Sequence, residues 1–194
     1  MPIKLVWLIG WIGLCNVANA QTDSTAKPAK RSCSCSFSSI NQVGVLRGEP
    51  GSYFQFQTIN GIRYKTWFAG IGAGVDFYPV DGIPVFFDIR KYIFDKQFTP
   101  FVYAGAGIHF ANMNKTENRW QRIEYSNGFY YDVGLGYKVG INKRSGMLLS
   151  GGYSFKVVEQ RIYSTTCAFF PCSESKEMYT WHMNRLSLKI GWQF

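Results

Sequence analysis

Two histidines bound the acid–base chemistry open to this chain. His182 follows a Ser173-Glu174-Ser175 run, and a histidine with a hydroxyl and an acid is the minimal set for nucleophilic attack on an acyl group. That combination would suit a lipid-modifying enzyme. The spacing matches no tight catalytic motif, however, and a lone histidine at a membrane interface serves equally as an amphipathic surface residue. His109 has no comparable neighbours, so no catalytic residue is assigned. Cysteine offers a second chemistry. Cys167 and Cys172 flank Pro171, and a disulfide between them is expected to pin a short loop. Cys33-Ser34-Cys35 leaves three readings open: a strained ring, an intermolecular bridge or a pair of soft-metal ligands. Without a nearby histidine the structural readings are favoured, and neither a metal nor an organic cofactor is expected. Nucleotide-binding motifs, clustered zinc ligands and internal repeats are absent from the sequence.

The largest chemically competent set is ionic: Arg63, Asp76, Asp88, Arg90, Asp132, Lys138, Lys156, Arg185 and Lys189. These residues are dispersed along the chain, so only a fold can bring them together. The formal charge is +9, yet the basic residues cluster only at Lys27, Lys30 and Arg31. Scattered cations argue against a nucleic-acid partner. They suit anionic headgroups or lipopolysaccharide phosphates, or serve simply as solubilising charge.

The N-terminus begins with Lys4, an apolar run over 5–14, and Val17-Ala18-Asn19-Ala20, the layout of a secretory signal cleaved after Ala20. An anchor at Cys15 is the weaker alternative, because bulky Leu14 stands where a lipoprotein signal wants a small residue. Residues 21–39 are rich in Ser, Thr, Ala and Lys and are expected to form a flexible tail. Residues 40–194 form the folded part. Its oxidising, exported setting permits disulfides.

Strand periodicity dominates that folded part. Over 185–194 the even positions are Leu186, Leu188, Ile190, Trp192 and Phe194, and the odd ones are polar or Gly. The same alternation runs over 67–78, 84–93, 129–141 and 147–157, and in smaller residues over 101–111. Two less regular strands are expected near 42–47 and 53–64, with Asn60-Gly61 a candidate bulge. The expected architecture is an all-β, eight-stranded antiparallel up-and-down barrel.

Alternation fits a soluble ligand-carrying barrel as well as a transmembrane one; the polar face separates them. Gly70, Gly72, Gly74, Gly134 and Gly136 alternate with Asp76, Asp132 and Lys138, which suits a cramped interior. On a water-facing surface those glycines would only weaken the strands. A Lys or Arg turned to lipid at mid-membrane costs about 2–4 kcal/mol, a large share of a fold's roughly 5–15 kcal/mol margin. The charges therefore face a polar, Gly-rich lumen and the apolar face meets lipid. Trp67, Phe77, Phe129, Trp192 and Phe194 fall at strand ends, where a membrane barrel carries its aromatic girdles. Connection lengths agree with periplasmic termini. The fifth (112–127) and seventh (163–181) connections are long and would lie outside the cell, whereas 65–66, 95–98 and 142–145 are short periplasmic turns.

The run Gly70-Ile71-Gly72-Ala73-Gly74-Val75-Asp76 leading into Ile83-Pro84-Val85-Phe86-Phe87-Asp88 resembles the small outer-membrane β-barrel proteins of Bacteroidetes. So do Tyr103-Ala104-Gly105-Ala106-Gly107 and the ending Leu186-Ser187-Leu188-Lys189-Ile190-Gly191-Trp192-Gln193-Phe194. The resemblance implies bacterial outer-membrane localisation and a terminal aromatic, Phe194, recognised by the barrel assembly machinery. It carries little information about activity. Eight strands leave an interior only wide enough for side chains, so a plugged lumen is favoured over a small-solute porin. Recognition by the outer loops, where Asn118, Arg119, Trp120, Arg122 and Tyr125 lie, or a role in envelope integrity, is favoured over catalysis. The ligand itself is not legible.

Overall fold

Adjacent residues along the strands alternate between a tightly enclosed and an outward-facing environment, as the two-residue repeat of an extended chain dictates. The computed structural model describes residues 35–78, 80–111, 116–118, 121–141, 145–166 and 173–194. The expected signal (1–20), most of the expected tail (21–39), Arg119, Trp120, Cys33, Cys167 and Cys172 lie outside them.

Eight antiparallel strands close the barrel: β1 (Cys35–Gly48), β2 (Gly51–Tyr64), β3 (Trp67–Asp76), β4 (Ile83–Tyr92), β5 (Phe98–Phe110), β8 (Gly128–Gly140), β9 (Gly146–Thr166) and β10 (Ser173–Gln193). A short hairpin, β6 (Thr116–Asn118) and β7 (Gln121–Ser126), lies in the fifth connection. Closure comes from β1 pairing with β10, from Ile40↔Gln193 to Arg47↔Leu186. The two free edges thereby satisfy each other.

The outward face is apolar over most of every barrel strand. Phe54 is 73% exposed, Leu188 70% and Leu135 67%, while Asp76, Lys138 and Lys156 are fully enclosed. Water would not tolerate that arrangement, and hydrocarbon requires it. The fold is a transmembrane β-barrel with its apolar face outward.

Four sequence expectations need correction. β1 opens at Cys35 rather than near 42, so 35–39 are strand, not tail. Its alternation is masked in sequence because Ile40 and Leu46 point inward while Asn41 points outward. Asn60-Gly61 is not a bulge: Ser39↔Asn60 and Ser38↔Gly61 continue an unbroken register. Gly61 is required because Ala69 O and Gly70 Cα occupy the space that a Cβ would need. The seventh connection shortens to 167–172, since β9 and β10 remain paired up to Thr166↔Ser173. Finally, the interior is not merely polar and glycine-rich. Phe68, Phe86, Tyr92, Phe101, Tyr103 and Tyr130 form a buried cluster with Ile40, Ile59 and Leu148.

The end with the long connections, called the outer end below, has its own construction. β7 pairs with the upper part of β9 (Gln121↔Ser164 to Ser126↔Glu159), above the level where β8 pairs with it. β6, β7, β9 and β10 thus form a small sheet rising above the barrel rim.

Candidate functional site

The nine ionic residues singled out above are the charged Asp, Lys and Arg side chains buried among the described residues. They form a vertical series inside the barrel. Nearest the outer end, Asp76 on β3 is ion-paired with Arg185 on β10 and with Lys156 on β9, the latter at 3.2 Å. Arg185 also donates to Ser154 Oγ at 2.8 Å, and Lys156 to Val80 O at 2.9 Å. His109, on the interior face as its strand position requires, places Nε2 3.4 Å from Lys156 Nζ and 4.0 Å from Asp76.

One level down, Asp132 is ion-paired with Lys189. It also accepts hydrogen bonds from Tyr103 Oη at 3.1 Å and Tyr130 Oη at 3.3 Å. Gln57 Nε2 donates to Tyr130 Oη at 2.9 Å, joining β2 to β8. Arg90 pairs with Asp88 at 2.8 Å and donates to Gln42 Oε1 at 3.3 Å. At the turn end, Lys138 Nζ and Tyr92 Oη both donate to Gln193 Oε1, at 3.0 and 3.1 Å, while Gln193 Nε2 donates to Ser38 Oγ at 3.0 Å. Arg63 reaches Asp95 at 3.5 Å.

Six of these nine buried charges are cationic and three are carboxylates, so pairing among themselves leaves an excess of positive charge, part of which the exposed Asp95 meets at Arg63. Aromatic faces stabilise the same cations further. Arg185 lies 5.1 Å from the centre of the Tyr78 ring, Lys189 4.6 Å from Tyr103, and Arg63 5.0 Å from Tyr92. Sequence reasoning found the charges but missed the tyrosines and glutamines that satisfy them. The available signal was the recurrence of Tyr and Gln at interior-facing positions of β2, β4, β5, β8 and β10.

Above the Asp76 cluster the barrel mouth opens into a cavity of about 690 Å³, lined by Glu49, Pro50, Tyr78, Val80, Tyr125, Gln160, Trp181, His182, Met183 and Asn184. Val80 packs with Ala111, Val158, Tyr125 and Met183 at its base. Trp181 Nε1 donates to Gln160 Oε1 at 2.9 Å, which holds the indole on the inner wall. Residues 181–184 alternate between the two faces of β10, yet all four line the cavity. The space therefore wraps around a free strand edge. That edge is free because the β1–β2 hairpin turns at Glu49-Pro50, while β10 continues to Ser173 above its last β1 partner, Leu186.

The other candidates separate. His182 faces outward, stacked with Phe155 at 6.0 Å between ring centres. Ser173 to Ser175 belong to the same strand, seven or more residues away, which is about 23 Å at a strand's rise. The proposed His/Ser/acid set is not brought together. Arg122 is held by Glu124 at 2.7 Å on the hairpin, whereas Tyr125 turns inward to the cavity. Trp67, Phe77, Phe129, Trp192 and Phe194 all lie exposed on the outward face. Among the described residues no metal-ligand cluster occurs.

No protein-family model matches the chain, and no curated protein matches it. Solved structures do. The outer membrane protein OprG of Pseudomonas aeruginosa superposes with a TM-score of 0.51 at 12% identity, covering 81% of this chain and 95% of that one. The N-terminal β-barrel domain of Pseudomonas aeruginosa OprF gives 0.45 at 12% identity, covering 81% and 97%. Neisserial surface protein A gives 0.42 at 13% identity, also covering 81% and 97%. At these identities the OprG likeness establishes the fold, that of small outer-membrane β-barrels, and nothing further.

Proposed function

We propose that this protein is a bacterial outer-membrane barrel that does not conduct and acts by recognition at its outer rim. One observation carries the reading. The cavity at the mouth ends below on the Asp76–Arg185–Lys156 cluster, where interior side chains are paired with one another. An eight-stranded barrel has room for such side chains and little else. The charges link one wall to another and so hold the interior closed. The cavity above is concave and mixed in lining, with Tyr78, Tyr125, Trp181, Val80 and Met183 beside the polar Glu49, Gln160 and Asn184, a make-up that suits a small ligand with apolar and polar parts. Because it wraps around the free edge of β10 towards the outward face, it suits an amphiphile better than a fully water-borne solute.

The test is the current across a planar bilayer containing the refolded protein. The reading expects no reproducible conductance step, and uniform channels would replace it with the porin alternative. Catalysis on lipids loses its motivating geometry now that His182 and the 173–175 segment are apart.

A further inference from the structure

Nearly the whole outward band is apolar, but it has one polar interruption. Asn41 on β1 faces outward beside Thr58 and Asn60 on β2, and Ser39, on the same side of β1 but only 7% exposed, completes the cross-strand pairs Ser39↔Asn60 and Asn41↔Thr58. Each strand carries exposed apolar residues on both sides of this square: Phe37 and Val43 on β1, Phe56 and Ile62 on β2. The square therefore lies within the hydrocarbon band rather than at its margin.

Its internal hydrogen bonding is incomplete. Thr58 Oγ1 donates to Asn41 Oδ1 at 2.7 Å. The Asn60 carboxamide is exposed, with two donors and an acceptor, and has no side-chain partner among the described residues. Hydrocarbon offers nothing to satisfy it, and an unsatisfied amide there is costly. On β3 the direct partner of Asn60 is Ile71, 67% exposed, and the residues on either side of it, Ala69 and Ala73, are small, so a second surface meets one projecting apolar side chain with low ground on both sides of it.

We infer that this face is the contact between two copies of the chain in the membrane. A carboxamide is its own complement, donating and accepting at once. A two-fold axis along the membrane normal places the same patch of each copy against the other, as an isologous interface requires. Lipid tails lack the complementary groups, and water-borne partners do not reach this depth. The inference needs only the transmembrane fold and is independent of what the rim cavity binds.

The experiment is energy transfer between donor- and acceptor-labelled full-length protein in phosphatidylcholine bilayers, titrated by added lipid. Wild-type protein is expected to associate reversibly. Asn60→Leu should weaken association about tenfold, the scale of a lost hydrogen bond or two in a membrane. Asn60→Gln should stay near wild type, and Leu135→Ala, on the opposite wall, should change nothing. Thr58→Val, which frees Asn41, gives a second reading if Asn60→Leu folds poorly. Heat-dependent gel mobility checks the fold in every case, and folded Asn60→Leu should resist unfolding at least as well as wild type, since its new side chain suits lipid. Transfer at the random background at every lipid ratio overturns the inference. So does unchanged association in both folded variants.

Discussion

Asp76 and Arg185 are separated by 109 residues in sequence and form a fully buried ion pair that ties β3 to β10 across the barrel interior, with Lys156 of β9 sharing the same carboxylate. The three side chains depend on one another, because removing the carboxylate leaves two cations enclosed without their counter-ion. Asp76→Asn keeps the volume and deletes the charge. It should lower stability by about 3–5 kcal/mol, the usual cost of stranding a buried charge. The measurement is the urea concentration at which the unboiled, fast-migrating band disappears. Adding Lys156→Met should recover part of the loss. An unchanged midpoint in Asp76→Asn would remove this cluster from the account of how the barrel stays closed.

Why so much of this was legible follows from the two-residue repeat. When a strand has lipid on one side and a filled lumen on the other, residue type sorts by parity, and β3, β4, β8 and β10 show that sorting plainly. β1 and β2 do not, because Ile40, Leu46 and Ile59 face inward while Asn41, Thr58 and Asn60 face outward. Their departure from the pattern looked like irregular structure and is instead a feature of the surface. The length of β9 and β10 was also hidden: above the membrane both faces meet mixed surroundings, so the contrast that marks a strand fades at the point where the cavity is built. Partners across the lumen, such as Gln57 and Tyr130, depend on the relative stagger of strands, which no single strand encodes.

Interior aromatics rest on glycine. A methyl group at Gly136 would overlap the ring of Phe101, and one at Gly72 would overlap Phe86. These glycines make room for neighbouring rings rather than adopting unusual backbone angles. Gly136→Ala should cost about 1–3 kcal/mol through overpacking. Gly136→Ala with Phe101→Leu should lose less than the two single changes together, because the smaller side chain vacates the space the methyl needs. Additive losses in denaturant titrations would mean the two residues do not compete for the same volume.

The rim cavity predicts a separation between binding and stability. Trp181 forms part of its wall and is half-exposed, anchored through Gln160. Trp181→Ala should therefore change barrel stability by no more than about 0.5 kcal/mol. Binding of a dansylated fatty acid, followed by its fluorescence in titrations of detergent-solubilised protein, should weaken about tenfold, an aromatic wall being worth roughly that much. Equal affinity in the two proteins would place amphiphile binding elsewhere on the outward surface.

Replacing Phe194 offers a test that separates folding from assembly. Its backbone completes the closing seam: Ser39 N donates to Phe194 O at 2.8 Å, and Phe194 N donates to Ser39 O at 3.0 Å. Its ring projects outward and is 54% exposed. Phe194→Ala keeps both backbone bonds and removes only the ring, so protein refolded in detergent should unfold within about 0.5 kcal/mol of wild type. If the assembly machinery reads this ring, as the resemblance to small outer-membrane barrels implies, the same variant should reach the membrane in cells at a severalfold lower level. Quantifying folded protein in membrane fractions beside the in vitro unfolding curve distinguishes the two roles. A matching loss in both would make Phe194 a stability residue of the β1–β10 seam, and no loss in either would leave its ring to the aromatic girdle alone.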